Sequence, residues 1–178
     1  MKDRASEYTK RQDGAATVFT VTPASAPKFT YLLIIGGVIG LIGLGMLNSG
    51  GIFFLAMAGF AFWYGWFRDQ RPRDHKVPSS FRVTPEQIEG AGRTFTKGDI
   101  HRLILKNGIT DKELPIQQWT TNTNVAAGMA QRAKIGQVAN SLNVETGGKS
   151  YLLAGGMDET TAYGLLHDVS KILGLSLS

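Results

Sequence analysis

The chain has 178 residues, with 19 Lys and Arg against 14 Asp and Glu, a formal net charge of +5. Cysteine is absent, which excludes disulfides, zinc-thiolate sites and a cysteine nucleophile. Charged residues make up only 19%, below the roughly 25% of ordinary domains, and Gly is high at 22 residues.

Residues 1–28 open as an N-terminal segment. Met1 to Gly14 mixes charges without periodicity and reads as mobile. Ala16 to Thr22 is rich in β-branched residues and predicts a short strand, one able to pair with a later sheet. Pro23 and Pro27 mark a linker.

From Phe29 to Phe67 there is no Asp, Glu, Lys, Arg or His. One membrane-spanning helix needs about 20 apolar residues, so this run predicts a transmembrane helical hairpin, with helices over about 30–47 and 52–67. Asn48, Ser49, Gly50 and Gly51 supply the turn signal between them. Gly36, Gly40 and Gly43 fall on one face of the first helix, and Ala58, Ala61 and Gly65 on one face of the second. Small residues at these spacings let helices approach closely, within one hairpin or between copies. Lys2, Arg4, Lys10, Arg11 and Lys28 precede the run, and Arg68, Arg71, Arg73 and Lys76 follow it. The positive-inside rule then places both termini in the cytoplasm. Trp63, Tyr64 and Trp66 with Arg68, Arg71 and Arg73 predict a membrane-interface belt. No ionisable residue lies within either helix, which argues against a transporter or ion-coupled pump.

Residues 68–79, with Pro72 and Pro78, read as a juxtamembrane linker, and 80–178 as a domain. Ser80 to Val83, Gln87 to Glu89 and Arg93 to Thr96 predict short strands, the last two joined at Gly90-Ala91-Gly92. Asp99 to Lys106 alternates as another strand. Ser141 to Thr146 and Lys149 to Ala154 flank Gly147-Gly148 as a hairpin. Asp158 is a good N-cap for a final amphipathic helix, with Ala162, Leu165, Leu166, Val169, Ile172 and Leu173 on its apolar face and Gly174 at its end. Residues 107–140 are an insertion, helical or irregular, in which Met129, Arg132, Lys134 and Ile135 are candidates for contact with a partner or membrane.

This order of elements resembles bacterial pleckstrin-homology-like domain proteins with an N-terminal transmembrane hairpin. Phe81 to Glu89 resembles their opening hairpin, Lys97 to His101 the approach to the next strand, and Ser141 to Leu173 the closing hairpin and helix. The resemblance covers roughly residues 30–175. It implies an α+β fold, a small antiparallel β-barrel or sheet with a C-terminal helix. It also implies a bacterial inner-membrane location and no enzymatic site.

The residues themselves show little chemistry. His75, His101 and His167 are scattered and form no recognisable metal motif. Asp99 and His101 would share a strand face, but read as a solvated pair. No nucleophile-elbow, phosphate-loop or zinc-protease motif occurs, so no catalytic residue, cofactor or metal is expected. Lys76 to Ser178 carries 11 basic and 9 acidic residues, too near balance for nucleic-acid binding. The expected partners are a lipid bilayer and another protein or a second copy. The expected function is a non-enzymatic, membrane-anchored scaffold presenting a protein- or lipid-binding domain. The alternatives are an oligomerising two-helix membrane effector with a β sensor domain, or an accessory subunit of an envelope or secretion complex.

Overall fold

The computed structural model describes residues 5–28, 30–69, 71–108 and 134–175. In chain order the elements are β1 (Glu7–Asp13), β2 (Ala16–Thr22), α1 (Thr30–Gly45), α2 (Gly51–Phe67), β3 (Ser79–Val83), β4 (Gln87–Gly90), β5 (Arg93–Thr96), β6 (Arg102–Asn107), β7 (Asn140–Thr146), β8 (Lys149–Met157) and α3 (Glu159–Leu173). The chain divides into two compact units. Residues 1–26 and 71–178 form a sheet-and-helix body, and residues 27–70 form a helical hairpin.

The body has a five-stranded sheet in the order β1-β2-β3-β4-β5 and a three-stranded sheet in the order β6-β7-β8, with every neighbouring pair antiparallel. Local turn chemistry sets most of this register. Ala91 and Gly92 at φ 53° and 70°, and Gly147 and Gly148 at φ 55° and 72°, supply the two successive left-handed residues that tight hairpins demand. Phe19 of β2 lies opposite Phe81 of β3, and their rings stack with centroids 5.4 Å apart. Val21, Val83, Ile88, Leu142, Val144 and the buried face of α3 complete the core. Asp158 caps α3 by accepting from the Thr161 N–H at 2.9 Å, and Gly174 ends it at φ 63°.

Several expectations are corrected. Residues 7–13 are not a loose segment but the outer strand of the first sheet. Six of these seven residues are exposed, so no alternation marks the strand in the sequence. The barrel-like plan of the resemblance does not hold either. The strands lie in two separate sheets and close no barrel. β1 extends the first sheet, and the chain leaves β5 through a turn at 97–101 before entering the second sheet. That turn also removes Asp99 and His101 from a common strand face; Asp99 instead accepts a hydrogen bond from Thr96 Oγ1 at 2.5 Å.

The transmembrane hairpin is corrected as well. Among the described residues no helix is long and apolar enough to cross a membrane. α1 has 16 residues and α2 has 17, or about 24 and 26 Å at 1.5 Å per residue, against a hydrocarbon core of roughly 30 Å. The physical reason is the turn, a 3-10 segment at Leu47–Ser49 with its flanking residues, which takes chain from the charge-free run. The inference of an integral, inner-membrane protein with two cytoplasmic termini rested on those spans and falls with them.

Candidate functional site

The hairpin is the feature least like an ordinary folded unit. α1 and α2 are apolar on every side, so neither has a polar face to turn toward water. Their seam is built from small residues. A Cβ on Gly36 would sit 3.3 Å from the Ala58 carbonyl oxygen and the Ala61 Cβ, and one on Gly40 would sit 3.5 Å from the Ala58 Cβ. A Cβ on Gly43 would lie 3.0 Å from the Gly51 carbonyl oxygen. Gly51 is tighter still, since a Cβ there would run into the Gly43 carbonyl oxygen. Ala58 and Gly65 are buried. The turn satisfies its own backbone: the Met46 carbonyl accepts from the N–H groups of Ser49 and Gly51, both at 2.8 Å. Gly50 adopts φ 95°, a left-handed conformation suited to glycine.

The large side chains point the other way. Ile34, Leu41, Ile52, Phe53 and Phe67 are all about two-thirds or more exposed, at 69%, 71%, 74%, 67% and 73%. Water strongly favours the opposite arrangement, at about 25 cal/mol per Å² of apolar surface hidden. A contiguous apolar surface of this kind marks an interaction site.

The open end of the hairpin has a different chemistry. Lys28 Nζ lies 3.8 Å from the Trp66 ring centroid, and the Arg68 guanidinium carbon lies 5.0 Å from that of Tyr64. Phe60 packs at 5.9 Å from both Trp63 and Tyr64. Of the residues expected at an interface belt, Trp63, Trp66 and Arg68 are exposed and Tyr64 is half-buried. Arg71 and Arg73 belong to the body. Arg73 is exposed, but Arg71 is buried and its Nη1 donates to the Ala24 carbonyl at 2.6 Å, a structural role the sequence did not signal.

In the insertion, Lys134 is exposed and Ile135 is buried within a helical segment at 134–137. Ile135 is therefore not an exposed side chain available to a partner as the structure stands. Met129 and Arg132 lie outside the described residues.

The titratable groups of the body serve its packing. Asp168 of α3 accepts from the Tyr8 hydroxyl at 3.0 Å and from Lys10 Nζ at 3.1 Å, which ties β1 to the helix. Burial opposes ionisation of Asp168, but these hydrogen bonds outweigh it and hold its carboxyl below the usual range. Burial, then the hydrogen bond and charge of Asp168, push the Tyr8 phenol up to about 12. Ser6 and Asp158 form a second tie, with Ser6 Oγ donating to Asp158 Oδ2 at 2.5 Å and accepting from the Asp158 N–H at 2.8 Å. His75 was not singled out by sequence, yet it is only 5% exposed. Its ring rests on glycines: a Cβ at Gly108 or Gly155 would come within 2.7 or 2.8 Å of it. Its Nδ1 has no hydrogen-bond partner among the described residues. Among the described residues, no group of three or more His, Asp or Glu side chains is placed to hold a metal ion.

No protein-family model, curated protein or solved structure matches this chain. The resemblance to pleckstrin-homology-like proteins thus gains no support from these comparisons, and the functional reading rests on the geometry alone.

Proposed function

We propose that this chain is a non-enzymatic binding module that attaches to a lipid surface through its apolar hairpin, entering from one side without crossing. The observation that carries this reading is the inverted packing of the hairpin, with glycine and alanine inside and Ile34, Leu41, Ile52, Phe53 and Phe67 outside. Lipid chains are a medium in which such a surface costs nothing, and the internally bonded backbone of two helices is tolerated there. The aromatic and basic groups at the open end suit the headgroup level, where rings and cations sit together. The sheet-and-helix body then serves as the part presented to other molecules.

Flotation of the full-length protein with phosphatidylcholine and phosphatidylglycerol vesicles tests this. The protein is expected to float with the vesicles. Trp63 and Trp66 fluorescence is expected to be quenched most by lipids brominated near the headgroup. Replacing Ile52 and Phe53 together with Asp is expected to release the protein from the vesicles while leaving the body folded. A full-length protein that stays monodisperse in buffer and ignores vesicles would sink the proposal. So would an Ile52 and Phe53 double variant that floats as the original does.

A further inference from the structure

The body carries a cleft that the hairpin reading does not use. It encloses about 400 Å³ and is lined by Arg93, Thr94 and Phe95 of β5, Asp99, Thr146 and Gly147 at the end of β7, and Lys149 and Tyr151 of β8. Three successive residues of one strand line it. Side chains alternate between the faces of a strand, so a cleft on one face would meet every second residue. This one runs along the edge of β5. β5 is the terminal strand of its sheet, and no strand pairs with that outer edge among the described residues. Such an edge presents backbone N–H and C=O groups to an incoming chain.

The side chains at this edge are arranged for an anion. Arg93 lies with its guanidinium carbon 5.0 Å from the Tyr151 ring centroid and donates from Nη1 to the Tyr151 hydroxyl at 3.3 Å. Tyr151 in turn packs against Phe95, with ring centroids 5.3 Å apart. The exposed guanidinium thus lies over the Tyr151 ring, and no carboxylate among the described residues pairs with it. Lys149 adds a second cation to the lining. The one acid in the lining, Asp99, is engaged by Thr96. A guanidinium without an acidic partner matches a carboxylate in shape and charge, and its contact with Tyr151 biases it toward the cleft.

We propose that this cleft is a docking site for an extended acidic peptide of a partner protein. The peptide adds as a strand to the free edge of β5 and sets a Glu or Asp carboxylate on Arg93, with Lys149 near. Main-chain hydrogen bonds supply affinity, and the arginine supplies selectivity. Tyr151 is a positioning residue that acts through Arg93. This inference stands independently of whether the hairpin meets lipid.

The test is a displayed library of random eight-residue peptides, selected on the full-length protein in detergent and read by fluorescence anisotropy on the synthetic winners. The winners are expected to carry at least one Asp or Glu within an alternating apolar pattern. Arg93→Glu is expected to abolish their binding, Arg93→Ala to weaken it at least about tenfold, and Arg93→Lys to weaken it less. Tyr151→Ala is expected to weaken it while Tyr151→Phe largely retains it, a split that general loss of folding would not produce. Lys149→Glu, at the exposed start of β8, repeats the charge test without touching the Arg93, Tyr151 and Phe95 contacts. Methylating the peptide's backbone nitrogens, alternate ones in turn, is expected to abolish binding for one set of positions only. Three outcomes overturn the proposal: a selection that yields no binder, winners that bind Arg93→Glu as tightly as the original, or binding that survives both methylation sets. Full competition by inorganic phosphate at concentrations matching the peptide's would show a free-anion site and would also overturn it.

Discussion

The body and the hairpin use the same kinds of apolar residue in opposite ways. In the body Phe19, Leu142 and Leu165 are fully enclosed, and the exposed positions of β1 are mostly polar. In the hairpin Gly51, Ala58 and Gly65 are enclosed, and Ile52, Phe53 and Phe67 are outside. The body hides its large side chains against its own chain, so its stability belongs to it. The hairpin gains close backbone packing from its seam but leaves its large side chains for its surroundings to cover. A pair of matched substitutions separates the two cases. Phe19→Ala is expected to destabilise the body by about 3–5 kcal/mol, as for phenylalanine removed from a packed core. Phe53→Ala should change body stability by less than about 0.5 kcal/mol. Chemical denaturation of the full chain in detergent, followed by near-ultraviolet circular dichroism, checks both. A large loss from Phe53→Ala would mean that the two units share a core.

The seam offers a second way to break the comparison, because it should fail by overfilling where the core fails by emptying. Gly43→Leu places side-chain atoms where the Gly51 carbonyl and Leu55 already stand, and overpacking of this kind costs about 1–3 kcal/mol. The absence of native cysteine makes the readout simple. Gly40→Cys with Ala58→Cys brings two Cβ atoms to about the 3.5 Å separation of the seam, within disulfide range. This pair is expected to oxidise readily in the original background and slowly once Gly43→Leu is added. Equal oxidation rates in both backgrounds would show that the glycine faces do not set the helix separation.

The N-terminal strand sharpens the comparison inside the body. Ser6, Asp158 and Thr161 form one network that both caps α3 and fastens the start of β1. Asp158→Ala is expected to cost about 1–2 kcal/mol, the upper part of the usual range for a lost N-cap. It should also raise hydrogen exchange in β1 more than in β7. Uniform exchange across both strands would reduce Asp158 to an ordinary helix cap.

Legibility in the sequence followed the range of the interaction. The hairpins at Gly90–Gly92 and Gly147-Gly148 and the capped helix α3 were readable, because turn residues, caps and periodicity act within a few positions. β1 was not, since a charged edge strand lacks the alternation that burial imposes. The glycine and alanine faces of the hairpin, its turn and its helix bounds to within two residues were visible from spacing and from the polar, glycine-rich break; the error lay in reading helices of that length as membrane-crossing. The cleft joins Arg93 to Tyr151, and the cradle of His75 joins Gly108 to Gly155 and Gly156. Such pairings arise only from tertiary packing, and no local pattern announces them.

His75 gives the smallest expected effect and the most selective one. Burial, opposed by Asp74 and aided by Arg71, lowers its pKa from the usual value. The folded body therefore holds the ring neutral at a pH where the unfolded chain binds a proton. For a group whose folded pKa is depressed in this way, stability is fully present above the unfolded value, about 6.5. It falls as pH drops through that value toward the folded pKa, by at most about 1.4 kcal/mol per pH unit. Asp158, Asp168 and Glu145 also have lowered pKa values, but as carboxylates they act at more acid pH. The two contributions should appear as separate steps in unfolding midpoints measured from pH 7.5 down to pH 3. The upper step is expected to vanish in His75→Gln and the lower to remain. From Thr30 to Phe67 the hairpin holds no Asp, Glu, His, Lys or Arg, so nothing in it titrates between pH 3 and 7.5 and its cross-linking rate, corrected for thiolate fraction, should be flat across the upper step. A matching change there would mean that the body's protonation state reaches the hairpin, and would end the separation of the two units as independent devices.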